Sequence, residues 1–347
     1  MAESGGRFER FLRPGRKRGD IVILAMLITW LLITLGTLLG VLIEGLLGLP
    51  WTIDEEALGQ IALGELSVEQ VTGMPDYVSC AALYLSFIGL WVVFALVMLI
   101  PPANRPMASK LLFVRDRRSL ALTALGALAG FGINSICVLA SVLLGDVAIH
   151  FERFEPGPLL LLLFAVFVQS GAEEISCRLY LYQRLARRYR HPAVAAVASA
   201  VFFTLLHGSN PGVTPVALAQ IAAIGILFAI LIYYYDALGA CIAMHTTWNF
   251  TQNIIYGLPN SGIVSLYSIF ELDAAANGPF FDPVFGVEGS VGAVVLLVLA
   301  CVGLVVYAKA HDLRPHDLWA DGDASAREAS SGDGGAGPSA PAHLRAE

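Results

Sequence analysis

The chain has 347 residues, of which 56% are hydrophobic and only 14% charged, with a mean hydropathy of +0.70. A soluble domain carries roughly 25% charged residues, so this chain has too little polar surface to cover itself in water. Its net charge of −7 and the lack of a basic stripe with interleaved aromatics argue against a nucleic-acid partner.

In chain order, Met1–Asp20 is a basic, polar leader with Arg7, Arg10, Arg13, Arg16, Lys17 and Arg18. The apolar stretch after it is too long for a signal-peptide core and ends without a small-residue cleavage site, so it reads as a retained first helix. Eight apolar segments follow the length rule for bilayer helices, at 21–47, 78–101, 120–148, 158–183, 192–208, 215–235, 238–257 and 289–308. The loops test that count. The 48–77 loop is acidic, the 102–119 loop carries Arg105, Lys110, Arg115, Arg117 and Arg118, and Arg184, Arg187, Arg188 and Arg190 follow the fourth segment. The 258–288 loop has no Lys or Arg, and Lys309 and Arg314 follow the last segment. Positive charge alternates from loop to loop, which predicts both termini in the cytoplasm.

The expected fold is therefore an all-α polytopic transmembrane bundle of about eight spans, and the expected location is multi-pass in a bacterial plasma membrane. Its expected organisation is a leader at 1–20, three spans over 21–150, a catalytic core of spans four to seven over 151–257, an extracytoplasmic loop at 258–288, a last span at 289–310 and a cytoplasmic tail at 311–347. The loop is rich in turn residues and aromatics, with a short interfacial helix expected at 263–273. From about residue 320 the Ala/Gly/Ser/Pro/Asp composition is that of disorder. Cys80, Cys137, Cys177, Cys241 and Cys301 all lie in apolar runs with no CxxC pair, and read as packing residues. Cys177, between Glu174 and Arg178, is a minor candidate for a nucleophilic thiol.

Polar groups inside the spans carry the functional signal, because a charged side chain at the bilayer centre costs about 2.5–3.5 kcal/mol on insertion scales. Span four contains Gln169-Ser-Gly-Ala-Glu173-Glu174-Ile-Ser-Cys-Arg178. Glu174 and Arg178, four apart, can pair across one helical turn, whereas Glu173 is rotated by about 100° and lacks that partner. An unpaired carboxylate suits a general base or acid; the plainer reading is an interfacial network. Span five ends in Phe203-Thr-Leu-Leu-His207, and span seven holds His245-Thr-Thr-Trp248-Asn249. His245 and Asn249 share a helical face. Gln252 and Asn253 read as bonds to neighbouring helices, and Trp248 as a packing aromatic. Helical rise puts His245 about 10 Å, Asn249 and Glu173 about 16 Å and His207 about 20 Å from the cytoplasmic side, so modest tilt brings three helices' polar groups to one layer.

Such a set suits hydrolysis in either of two forms. Without metal, Glu173 and His207 activate a water while His245 and Asn249 stabilise the oxyanion. With zinc, Glu173, His207 and His245 would be ligands with one position left open for water, although the HExxH signature is absent.

The ordered set EExxxR (Glu173, Glu174, Arg178), FxxxH (Phe203, His207) and HxxxN (His245, Asn249) resembles the CPBP (ABI) family of intramembrane endopeptidases, which includes CAAX prenyl proteases of the Rce1 type and bacteriocin-processing or immunity proteins. The resemblance covers roughly 158–257. It implies that Glu173 is the catalytic base, that Glu174 and Arg178 support it, that His207 assists the water and that His245 with Asn249 forms the oxyanion site. It implies a membrane-bound or lipidated peptide substrate within the lipid bilayer; the glutamate-dependent form, with no cofactor, is preferred over a zinc-dependent one. A non-enzymatic membrane scaffold or immunity protein and a proton-coupled transporter are the alternative readings. The transporter lacks matched broken helices in two halves.

Overall fold

The computed structural model describes residues 11–13, 17–47 and 68–320. Most of the expected leader, most of the acidic 48–77 loop and the tail beyond 320 lie outside the described residues. Helices occupy each of the eight apolar stretches read from the sequence. They are α1 (Val22–Leu46), α2 (Asp76–Leu85) with α3 (Ile88–Leu99), α4 (Arg117–Leu144), α5 (Pro156–Glu174) with α6 (Tyr182–Arg188), α7 (Pro192–Leu206), α8 (Pro215–Tyr235), α9 (Leu238–Asn249) and α10 (Val291–Ala310). Six of these stretches, 22–46, 76–99, 117–144, 156–188, 215–235 and 291–310, are long and apolar enough to cross a bilayer. At 15 residues, α7 spans about 22 Å, short of a hydrocarbon core of about 30 Å. The bundle is an all-α polytopic membrane fold.

Two segments depart from regular α-helix: one follows Glu174 and contains Arg178, and the other follows Asn249. Ile175–Leu181 and Phe250–Ile255 are π-helical, a form that appears mostly as single turns inside α-helices and often at functional sites.

The apolar residues of α1 face outward: Leu27, Leu31, Leu35, Leu38 and Leu42 are exposed, while Ala25, Thr29, Gly36 and Gly40 are buried. Lipid is as apolar as leucine, so close backbone packing rather than hydrophobicity joins such helices. A Cβ on Gly40 would stand 1.7 Å from the Ser86 carbonyl oxygen, and one on Gly89 2.1 Å from that of Gly36. The second small-residue seam positions the site. On α4, a Cβ at Gly126 would lie 2.4 Å from the Ala240 carbonyl oxygen and one at Gly130 2.2 Å from that of Met244. Thr247 Oγ1 also donates to the Ala127 carbonyl at 2.8 Å. The helix bearing His245 therefore lies backbone-to-backbone on α4.

One end of the bundle collects its cations. Asp20, fully buried, accepts from Arg184 (2.8 Å) and Arg187 (2.7 Å). Asp236, at the left-handed end of α8 (φ 51°), pairs with Lys110 (2.5 Å) and Arg115 (3.0 Å). Arg13 reaches Asp317 at 2.7 Å. The start of α1, the 102–116 loop, the end of α6 and the segment after α10 thus meet at one face.

The opposite end corrects two expectations. The 120–148 span stops at Leu144, where Gly145 takes the left-handed cap (φ 81°), and the helix expected at 263–273 is absent. In their place β1 (Val147–Phe151) and β2 (Phe270–Ala275) form an antiparallel ribbon with a bulge at Ala148/Ile149. Phe270 and Leu272 alternate with Glu271 and Asp273, a period of two that fits a strand and not a helix.

Two outcomes follow from these contacts. Gly130→Ala is expected to lower stability by about 1–3 kcal/mol through overpacking, read as a drop in the thermal unfolding midpoint in detergent, whereas Gly132→Ala, which meets nothing within 4 Å, leaves it unchanged. On the ribbon, the hydrogen bond to Asp273 (2.8 Å) raises the His150 pKa above its ordinary value near 6.5. The pairing therefore stabilises the ribbon fully below about pH 6.5 and is lost as pH rises through the raised value. Asp273→Asn should move the His150 midpoint downward in an NMR titration.

Candidate active site

The candidate residues come from four helical segments. Glu173 and Glu174 end α5, Arg178 sits in the π turn after them, His207 caps the C-terminus of α7, and His245 and Asn249 lie on α9. Arg178 is fully buried and donates to Glu174 Oε1 at 3.0 Å. Its guanidinium lies 4.2 Å from the ring centre of Phe203 and 5.1 Å from that of Phe228, a cation–π sandwich that replaces lost hydration. Beside the arginine, Gly225 of α8 lets that helix approach α7 closely: a Cβ there would stand 3.0 Å from Ala200 Cβ and 3.4 Å from Arg178 Nη2. Phe203, which the spacing motif marks without explaining, is one wall of the arginine's chamber.

The buried carboxylate of Glu174 does a second job. His245 Nδ1 lies 2.9 Å from the same Oε1. A carboxylate only accepts, so Nδ1 carries the proton and the other ring nitrogen is left available. That nitrogen, Nε2, stands 3.6 Å from Glu173 Oε2, too far for a direct hydrogen bond. His207 is held differently: its Nδ1 lies 2.9 Å from the Phe203 carbonyl, which likewise makes Nδ1 the donor and leaves Nε2 available.

A short polar chain runs from Glu173 to the loop between α9 and α10. Gln169 Nε2 donates to Glu173 Oε1 at 2.7 Å. Asn249 Nδ2 donates to Gln169 Oε1 at 3.2 Å. Asn260 Nδ2 then donates to Asn249 Oδ1 at 3.3 Å. Glu173 Oε2 makes no hydrogen bond of its own.

Glu173, His207, His245 and Asn249 all line one cavity of about 420 Å³, together with Gln169, Asn260, Ser261 and Glu288. Its remaining walls are largely apolar, with Ile33 of α1, Phe87 beside α3 and Ile224 of α8 among them. Glu174 and Arg178 stand behind the wall. Glu288 is buried just before α10, and it accepts from Trp248 Nε1 at 3.1 Å and from Ser261 Oγ at 2.5 Å. Burial raises its pKa, which the Ser261 hydrogen bond and the two imidazoles partly offset.

The sequence-predicted residues are thus brought together, but with different partners. His245, not His207, stands beside Glu173, and Asn249 bonds Gln169 and Asn260 rather than His245. Gln252 does bond a neighbouring helix, through Asn134 at 2.7 Å, while Asn253 holds the loop at the Leu258 and Ile263 carbonyls. Trp248 is buried as expected, yet it also lines the cavity. Cys177 is fully buried and not among the cavity residues. Gln169 and Glu288 were missed: the first carries no charge to mark it, and the second lies in a loop, where a carboxylate attracts no notice. Among the described residues, the donors close enough to share a metal ion are His150, Glu152 and Glu271 on the exposed ribbon; Glu173, His207 and His245 are not so gathered.

A family model described as type II CAAX prenyl endopeptidase Rce1-like matches residues 155–251. Comparisons with curated proteins and with solved structures returned no match. The matched segment runs from the start of α5 into the π turn after α9, about a quarter of the chain, and contains every member of the EExxxR, FxxxH and HxxxN set. The chain is a multi-pass membrane protein whose residues 155–251 match the Rce1-like CAAX prenyl endopeptidase family model.

Proposed function

We propose that this protein is an intramembrane endopeptidase that hydrolyses a peptide bond in a membrane-associated, prenylated or otherwise lipidated substrate by a glutamate-dependent mechanism. The observation that carries the reading is the pair Glu173 Oε2 and His245 Nε2, 3.6 Å apart in the cavity wall. One water bonded to both atoms spans that separation.

Glu173 takes the proton of this water as its oxygen attacks the scissile carbonyl, and later delivers a proton to the leaving amine. Glu174 fixes the His245 tautomer so that Nε2 faces the water, and Arg178 holds the Glu174 carboxylate in place. Asn249, with one N–H on Gln169 and the second free, donates to the oxyanion, with His207 as a further donor when protonated. The imidazoles thereby exchange the roles that the family resemblance implies. The apolar walls suit the aliphatic or lipidated part of the substrate, and the polar residues its backbone.

Glu173→Gln is the test. In isolated membranes, the appearance of new protein termini is expected to fall by about 10²–10⁴-fold, with thermal unfolding unchanged and with chelator treatment of the wild type without effect. Termini that form at the wild-type rate in Glu173→Gln would sink the assignment, and loss of activity on chelation would replace it with the zinc form.

A further inference from the structure

The loop between α9 and α10 lies beyond the family-matched segment, yet it supplies Asn260, Ser261 and Glu288 to the cavity wall. Its first turn is clamped from below. Gln252 Nε2 donates to the Pro259 carbonyl at 2.5 Å, and Asn253 Nδ2 to the Leu258 and Ile263 carbonyls, each at 3.0 Å. Two parallel ties then join adjacent residues on both sides. Asn260 bonds Asn249 directly, and Glu288 bridges the next residue, Ser261, to the preceding one, Trp248.

A carboxamide can present either its oxygen or its N–H groups to a cavity, and the hydrogen bonds around it decide which. Two partners face Asn249. Gln169 Oε1 accepts from its Nδ2 and also from the Ser170 hydroxyl at 3.1 Å, but a hydroxyl can accept as readily as donate, so the orientation of Gln169 is set by Glu173, a pure acceptor only while ionised. Once Glu173 has taken the water's proton it can donate as well as accept, so the constraint passed through Gln169 relaxes at the stage when the oxyanion needs its donor. Asn260 is independent of that proton. By donating to Asn249 Oδ1, it keeps the oxygen turned away from the cavity whatever the state of Glu173.

We propose that Asn260, held in place by the Glu288 bridge, is a positioning residue of the peptidase site that fixes the Asn249 carboxamide with its N–H toward the oxyanion. This rests on the peptidase reading and on Asn249 as oxyanion donor. The loop is on this account a working part of the site.

A double-mutant cycle tests it, with the rate of Glu173-dependent terminus formation in isolated membranes as readout. Asn249→Ala is expected to cost about 10²–10³-fold, the usual effect of removing one oxyanion donor. Asn260→Ala should cost about tenfold or more in the wild type, and less than about threefold in the Asn249→Ala background, because residues acting through one another are not additive. Asn260→Asp keeps the shape but cannot donate; it should be at least as impaired as Asn260→Ala, and it serves in place of any Asn260→Ala protein that fails to fold. Glu288→Ala, which removes the ties to both Trp248 and Ser261, should reproduce part of the defect and be silent beside Asn249→Ala. A near-wild-type rate in Asn260→Asp, or losses that multiply fully with Asn249→Ala, overturns the proposal. Full activity in Asn249→Ala overturns it too, through its premise, while leaving the Glu173 result to stand or fall separately. Absence of any Glu173-dependent terminus overturns both.

Discussion

A single buried ion pair organises the centre of this molecule. Arg178 has no exposed surface and sits where a bilayer offers no water, so its charge must be compensated from within. Glu174 supplies the counter-charge, and the Phe203 and Phe228 faces supply the remaining electrostatic cover. Such a pair does not stabilise a fold cheaply, since desolvation opposes the attraction. Its value lies in what it fixes. With Glu174 locked by Arg178, His245 has one position and one tautomer, and the face it turns to Glu173 is determined.

The backbone geometry around this pair follows the same logic. The π turn begins at the residue after Glu174, and a second begins after Asn249. Each departs from the α-helical ladder beside a residue that must be aimed. Close approach of α9 to α4 at Gly126 and Gly130 sets the depth of His245, and the loop clamped by Gln252 and Asn253 closes the cavity beyond Asn249. The site is thus assembled from rigid contacts on three sides, while its apolar wall of α1, α3 and α8 residues is built from the side chains that meet lipid elsewhere.

Much of this was legible in the chain. Helix positions followed from hydropathy because lipid leaves the backbone few options, and the buried charges announced themselves by their cost. Glu174 with Arg178 was readable as an i,i+4 pair because both lie near one turn of helix. The pairing of His245 was not: the same rule placed it with Asn249, whereas the carboxylates of α5 engage its ring. A spacing rule sees only neighbours on one helix, and the decisive partners stand on another. The ribbon shows the same limit, since Phe270–Ala275 alternates clearly but pairs with a strand more than a hundred residues earlier.

The sequence by itself determined that this is a helical membrane protein with a costly set of polar residues on helices able to reach one depth, because insertion energy and helical period act locally along the chain. Only the tertiary structure decided which imidazole meets which carboxylate, that Phe203 and Phe228 shelter the arginine, and that a loop outside the matched segment reaches Asn249 through Asn260. Those outcomes depend on how separate helices cross and how closely their glycines let them approach, a property of the packed assembly rather than of any one segment.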